Sequence, residues 1–553
     1  MSALGAGPPR DGGAAARRRK AFGRLAKGPF DLLVVGGGIV GAGCARDAVL
    51  RGLKVALVDR GDFAHGTSSR TSKMVHGGLR YLENREFRLV GEACAERRAL
   101  QRVAPHVVRP RSFLLPAYRG ERPSRLEVEL GMWVYDAVAL FRNTRAHRPV
   151  SARRMAALEP ALRREGLAGG GLFFDCVTDD ARLTLLTLLD AEALGAVPLN
   201  YARVTALTGK GGAVEGARVR DEVTGGEVDV RAGVVINAAG PWSDDVSRLA
   251  DPGAPPRLRL TKGVHIVVPR ARIGHVRALV LRVPRDHRVF FVVPWGELSL
   301  VGTTDTDYAG APEGASADAA DVRYLLDAVN AYFPGAALAP SDVVSAFAGV
   351  RPLVLREGVE PGRVSREHTL FTGTQGLVTV VGGKLTTYRR MARDVVSEAV
   401  RHGGLRAGPP AGRRRPLPGG SANPGQPTLA ARAIARASSV DEEEADALYW
   451  LHGSGAGAVL ASAAASGKRR VVPGLPYLRA SLAWAAEHEH VVRLEDLLAR
   501  RVPLSRQLPD GAAGAAPDIA RLVQVAMGWG DDDLEEEVAA YREAAARAYR
   551  WRA

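Results

Sequence analysis

The stretch FDLLVVGGGIVGAGCARDAVLRGLKVALVDR, Phe30 to Arg60, limits what this chain can become more than any other. Apolar Leu32 to Val35 run into Gly36-x-Gly38-x-x-Gly41. A helical stretch follows, and KVALVD then returns as a second apolar strand ending on Asp59. Each part has its own mechanical role. Gly36 permits the tight turn, and Gly38 lets a pyrophosphate approach the backbone at the helix N-terminus. Gly41 allows helix and strand to pack closely, and Asp59 can accept from ribose hydroxyls. With strand, turn, helix, strand and acid in this order, a glycine turn without a ligand is a poor rival. A bound dinucleotide is the expectation.

A nicotinamide domain would continue in further βαβ units, but the chain runs from Asp59 into GDFAHGTSSRTSKMVHGGLRYL, rich in hydroxyls and glycines. Far downstream come a strand ending in small residues, GVVINAAGPWSDD (233–245), and a second glycine turn, GLVTVVGGKLTTYRRMA (376–392). There Gly382 and Gly383 follow an apolar strand and open a helix. A cofactor touched at both ends of the chain is a long one, which points to FAD. The predicted fold class is α/β, with a Rossmann-like FAD-binding domain interleaved with a mixed or antiparallel substrate sheet over residues 30–400, followed by an all-helical domain over 428–553.

Residues 1–29 are basic but lack the apolar run of a secretory signal, and read as a disordered tail. Residues 401–427 are dense in Pro, Gly and Arg and read as a linker. Three cysteines, Cys44, Cys94 and Cys176, lie far apart without CxxC spacing, which argues against a disulfide framework or zinc site and for a reducing cytoplasm. No stretch approaches the roughly 18 apolar residues of a membrane span. LEVELGMWVYDAVALF, Leu126 to Phe141, reads first as a helix buried between domains and second as a membrane-interface helix. The net charge of +16 predicts anionic company: nucleic acid, acidic lipid or an anionic small substrate.

GGGIVGAG, TSSRTSKMVHGGLRYLE, DCVTDDARL, NAAGPWSD, KGVHIVVP, VGTTDTDY, GVRPL and GGKLTTYR, taken in this order, resemble the FAD-dependent glycerol-3-phosphate dehydrogenases within the D-amino-acid-oxidase-like flavoproteins. The resemblance runs over Phe30 to Val400 and continues through VPGLPYL and LEDLLARR. It implies oxidation of glycerol 3-phosphate to dihydroxyacetone phosphate, with hydride passing to FAD and electrons to a membrane quinone. An anionic membrane on the cytoplasmic face is then the expected surface and nucleic acid is not expected, while oligomeric state stays open to a homodimer. Around the cofactor the resemblance places Arg60, Ser69, Thr71, Ser72, Lys73, Gly77, Gly78, Val204, Ala239, Gly240 and Trp242, joined by Gly382, Gly383, Leu385 and Thr386 from the second turn.

The residues make chemical sense of that reaction. A phosphate dianion needs fixed cations, and Arg80, Arg351 and Lys384 each sit beside glycines or strand ends. A secondary alcohol losing hydride needs a proton acceptor, for which His76 and His265 are the candidates, His76 foremost because it precedes Gly77-Gly78. Tyr81 can reach substrate or merely pack, and either arginine could instead pair with a structural carboxylate. Asp305 and Asp307 are read as turn caps, with no metal expected. Three rivals stand: an oxygen-using glycerol-3-phosphate oxidase, an amine or amino-acid oxidase, and a non-catalytic basic module binding nucleic acid through tail and linker.

Overall fold

A computed structural model describes residues 13–79, 86–355, 367–410, 412, 415–420, 427–463, 469–548 and 551. The predicted βαβ unit lies at its centre. Phe30–Val35 runs parallel to Val55–Val58 on one side and to Glu227–Asn237 on the other, and Leu377–Gly382 and Val197–Leu199 extend the same parallel core. Parallel strands covered on both faces need side chains that are apolar throughout, and Leu32, Leu33 and Val34 are fully buried. Helices Ile39–Leu50, Asp180–Ala193 and Tyr388–His402 contribute Ala45, Leu188 and Val395 to the core on one face.

The other face carries the strands Ala202–Thr208 and Gly216–Asp221 and a helix, Gly13–Ala26, where the sequence reading had placed a disordered tail. Leu25 of that helix is fully buried against the sheet, with Leu33, Val58 and Val197 in the same cluster. Arg18 reaches the carbonyls of Asn200 and Tyr201 and pairs with Asp221. The basic run hid one apolar stripe and one buried ion pair. Within the 401–427 stretch, Leu417 is buried, its N–H donates to the Val103 carbonyl, and Arg46 donates to the carbonyl of Arg415. The described part of this stretch is therefore laid along the nucleotide domain.

The second sheet has ten strands, antiparallel except where Ala278–Arg282 runs parallel to Val108–Tyr118. Helix Ala319–Tyr332 covers one face, packing Val322, Leu325 and Val329 against Val264, Ile266, Phe290 and Val292. Side chains alternate along a strand, so burying Val264 and Ile266 there turns His265 to the opposite face, toward the nucleotide domain. The C-terminal region is helical as predicted, with Leu482, Leu497, Ile519, Val523 and Tyr541 in its core.

Arg125–Val138 is a helix capped by a reciprocal Ser124–Glu127 pair, but it is not buried between domains. Val128, Met132 and Tyr135 face inward, while Leu126, Leu130 and Trp133, spaced four and three residues apart, are 76%, 63% and 53% exposed. Leu140 and Phe141 extend the exposed apolar stripe. Among the described residues no helix is long and apolar enough to cross a membrane.

Candidate active site

The carboxyl ends of the parallel strands, at Val35, Asn237 and Gly382, open on one edge of the sheet, where ligands of such folds bind. A cleft of about 1520 Å³, its mouth included, begins there. It is lined by Gly36, Gly38, Asp59, Arg60 and Thr71 from the N-terminal part of the chain. Val204, Ala239, Gly240 and Trp242 line its middle, and Gly382, Gly383, Lys384 and Leu385 line its far end. Two glycine turns separated by more than 300 residues thus meet on one cavity.

The three fingerprint glycines differ in what they avoid. A Cβ on Gly41 would lie 1.8 Å from the Gly36 carbonyl oxygen, and one on Gly36, where φ is +111°, would lie 2.5 Å from the Ala238 oxygen. Both clashes are with backbone. At Gly38 a Cβ would meet only Ser68 Oγ, at 3.1 Å, so Gly38 keeps the cleft open while Gly36 and Gly41 make the turn possible. Ser68, which the sequence reading missed, accepts from the Ile39 N–H at 2.9 Å and fixes the start of the helix. Asp59 accepts from Gly37 N at 2.6 Å and Gly61 N at 2.9 Å, so it ties the glycine turn to the start of the loop after the second strand, at the point where a ribose would lie. His65 stacks on Trp242 at 5.2 Å, the Arg60 guanidinium lies 5.1 Å from the same ring, and Glu313 accepts from Trp242 Nε1. Open backbone at two glycine turns, an acid at the end of the second strand and an apolar wall fit FAD.

The segment from Thr71 is held by a residue that sequence reasoning overlooked. Asp180, fully buried at the start of its helix, accepts from Thr71 N at 2.9 Å, from Thr71 Oγ1 at 2.8 Å and from Lys73 Nζ at 2.6 Å. Burial alone would raise its pKa, but Lys73 and Arg506 outweigh that and lower it. Lys73 is therefore engaged by Asp180, with its ammonium 5.5 Å from the Trp295 ring, and does not line the cleft. The motif DCVTDDARL contained Asp180, but nothing in its spacing showed that it would meet Lys73.

Ser72 Oγ lies 2.9 Å from Nε2 of His265, whose ring stacks on Phe347 at 5.1 Å. His265 is 2% exposed, and burial, reinforced by Arg351, pushes its pKa down to about 3, leaving a neutral imidazole behind Ser72. The His76 N–H donates to Thr386 Oγ1 at 3.2 Å, which ties this segment to the second glycine turn. Ser69 is buried, with its carbonyl accepting from Arg506. Gly77 is a correction: it was expected to offer its backbone to the cofactor, but its N–H goes to Asp175 at 3.1 Å. A Cβ there would sit 2.1 Å from the Tyr135 hydroxyl, so packing explains the glycine. Gly78 adopts φ +78° and, like Ser69, Ser72, Gly41 and Thr386, supports the cleft without lining it.

Arg351 donates to Asp305 at 2.9 Å and to Thr303 Oγ1 at 2.9 Å, and lies over Gly263, where a Cβ would come within 2.2 Å of its Nη2. Asp307 is engaged bidentately by Arg259, at 2.8 Å on each arm. Asp305 and Asp307 are thus partners of arginines where turn caps had been expected. Among the described residues no three His, Cys, Asp or Glu side chains are grouped to hold a metal. Arg80 and Tyr81 lie outside the described residues.

Residues 31–389 match the FAD dependent oxidoreductase family, and residues 411–534 match the C-terminal domain of alpha-glycerophosphate oxidase. The chain is 39% identical over 542 residues to glycerol-3-phosphate dehydrogenase 2 of Mycobacterium tuberculosis, covering 95% of this chain and 90% of that one. It superposes on the glycerol-3-phosphate dehydrogenase of Bacillus halodurans, solved in complex with FAD, with a TM-score of 0.80 and 30% identity over 98% and 99% of the two chains. The L-alpha-glycerophosphate oxidase of Mycoplasma pneumoniae, at 20% identity and a TM-score of 0.54 over 70% of this chain and 98% of that one, shares the fold alone. The chain belongs to the FAD-dependent oxidoreductases and, within them, to the glycerol-3-phosphate dehydrogenase family. Its cofactor is FAD.

Proposed function

We propose that this enzyme oxidises sn-glycerol 3-phosphate at C2 to dihydroxyacetone phosphate and hands the electrons to a membrane quinone. The 39% identity to a glycerol-3-phosphate dehydrogenase across both the nucleotide-binding and the helical regions carries the reading. FAD, when bound, supplies the hydride acceptor.

The chain's own residues bind, orient and deprotonate. Lys384, at the cleft wall, offers a cation to the phosphate. It precedes the turn Leu385–Thr387 and the helix Tyr388–His402, a position where the helix dipole disfavours a cation unless an anion is present. Arg80 and Tyr81, outside the described residues, enter as substrate-binding residues on the sequence resemblance alone. Arg351, oriented by Asp305 and Thr303, steadies the oxygen at C2 as its proton leaves. His76 takes that proton. His265, neutral and hydrogen-bonded to Ser72, orients the Ser72 hydroxyl, and its lowered proton affinity favours His76 as the base.

A quinone acceptor requires access to lipid. The exposed stripe of Leu126, Leu130, Trp133, Leu140 and Phe141 stands beside exposed Arg122, Arg125, Arg142 and Arg145, an apolar face with a cationic rim suited to the anionic inner leaflet. This stripe supports a peripheral position for the enzyme at the cytoplasmic face of the membrane. Two assays test the reading. Glycerol 3-phosphate should drive reduction of a soluble quinone analogue without matching oxygen uptake; stoichiometric oxygen consumption would make the enzyme an oxidase. Binding to anionic vesicles should weaken with salt and be lost in Leu130→Asp/Trp133→Asp, and retention by that variant would move the docking face elsewhere.

A further inference from the structure

The Asp59–Ser68 loop forms one wall of the cofactor cleft, contributing Asp59, Arg60, Ala64, His65, Gly66 and Ser68 to it. Its inner side is fastened to the glycine fingerprint, since the Ala64 N–H donates to the Gly37 carbonyl at 3.1 Å. Its outer side carries Asp62, fully buried on the side away from the cleft, whose backbone carbonyl also receives the His65 N–H at 3.1 Å and lies 2.8 Å from His65 Nδ1.

Asp62 is gripped from the helical region. Arg501 closes a bidentate fork on it, Nη1 to Oδ2 at 2.6 Å and Nη2 to Oδ1 at 2.9 Å, and Arg500 Nε donates to Oδ2 from the neighbouring position. Asn200 Nδ2 adds a contact at 3.1 Å. Both arginines stand at the end of a wide helical turn, Leu497–Arg501, with the chain extended again at Val502. This break in regular winding lets two consecutive side chains converge on one carboxylate, and such wide turns recur at functional sites. Asp496 and Glu495 accept from Arg500 at 2.6 Å and 3.2 Å and offset the second guanidinium. Phe63, next to Asp62, meets His490 of the helical region edge-on at 5.5 Å. Among the described residues the helical region lines none of the cleft; it reaches this wall through Asp62 and, at the wall's far end, through Arg506, which donates to the Ser69 carbonyl.

We propose that Arg500 and Arg501 are positioning residues for FAD: by holding Asp62 they set the Arg60–Gly66 wall, and the helical region thereby controls cofactor affinity without touching the cofactor. The coupling is reciprocal, because whatever the helical region does for FAD affinity, FAD must do for the order of the helical region. The inference rests on the family's cofactor and not on the proposed substrate, so a failed glycerol 3-phosphate assay leaves it standing.

The test uses full-length apoprotein titrated with FAD. In the wild-type chain, FAD should slow amide exchange in peptides covering 489–502. Asp62→Asn and Arg501→Met should weaken FAD binding, read by quenching of flavin fluorescence, by about tenfold or more, a typical coupling, and should lose the FAD-dependent protection of 489–502. Arg501→Lys, which keeps the charge and loses the fork, should fall between. Unchanged FAD affinity in a folded Asp62→Asn protein overturns the proposal. Wild-type exchange in 489–502 that ignores FAD overturns it as well, and that arm decides even where a variant fails to fold.

Discussion

The two walls of the cofactor cleft are made of different material. The Gly36–Gly41 wall is backbone, and its shape follows from four glycines, Gly36, Gly37, Gly38 and Gly41, within six positions. The facing wall, from Arg60 through Thr71, and the segment behind it to Lys73 are shaped by side chains that come from elsewhere: Asp180 for Thr71 and Lys73, His265 for Ser72, Arg500 and Arg501 for Asp62. The first wall is specified by local sterics. The second is specified by tertiary electrostatics, and its failures should be softer and open to rescue.

The steepest expected loss is at Gly41. Gly41→Ala puts a Cβ 1.8 Å from a carbonyl that cannot move without opening the turn, and should cost more than about 5 kcal/mol, yielding little folded yellow protein. Gly38→Ala meets only a serine hydroxyl at 3.1 Å and should cost about 1–3 kcal/mol, folding with depleted flavin. Flavin content and thermal melts of the two variants separate these cases. Similar behaviour would mean that Gly38 also serves the turn.

On the facing wall, Asp180→Asn strands Lys73 in a buried site and should cost about 3–5 kcal/mol by urea unfolding, the usual penalty for removing one partner of a buried pair. The double replacement Asp180→Leu/Lys73→Met should recover much of that stability. A backbone-built wall offers no such compensation, and an equally unstable double variant would erase the distinction.

A gentler effect comes from pH. Burial pushes His265, His106 and His452 down to about 3 and His275 down to about 4, from an ordinary value of 6.5. Unfolding lets each of them take up a proton that the native state refuses. The unfolded chain therefore binds more protons below pH 6.5, and stability falls as pH falls from there toward the native values. Each histidine should remove about 1 kcal/mol between pH 6.5 and 5.5, which denaturant melts across that window would measure. His106→Asn should flatten the slope by one histidine's share, and a native state indifferent to pH over this window would mean that these imidazoles are protonated in place.

The same division explains what could be read in advance. The βαβ unit, the second glycine turn and the helical C-terminal region were legible because their signals are contiguous: period, turn residues, a terminal acid. That Gly36 and Gly382 share one cavity was an inference from the length of the cofactor, and the strand order realises it by setting Phe30–Val35 and Leu377–Gly382 on either side of Glu227–Asn237. Asp180, Ser68 and Asp62 were invisible because a polar residue in a helix start or loop gives no local sign of a partner some 30 to 440 positions away. Gly77 was misread because close packing against Tyr135 and ligand approach both call for a glycine. The Gly13–Ala26 helix was missed because arginines outnumber its one fully buried leucine in the sequence, while in the fold that leucine decides its place.

Anaerobic mixing of the FAD-loaded enzyme with glycerol 3-phosphate and, separately, with glycerol tests most directly what the cleft is for. Glycerol 3-phosphate should bleach the flavin band near about 450 nm within the dead time or seconds after it, and glycerol at the same concentration should leave it intact. In Lys384→Ala the glycerol 3-phosphate concentration needed for half-maximal bleaching should rise steeply, with glycerol still leaving the band intact. A flavin that glycerol 3-phosphate does not bleach, or that glycerol bleaches as well as glycerol 3-phosphate does, would contradict a cleft built to oxidise a phosphorylated alcohol.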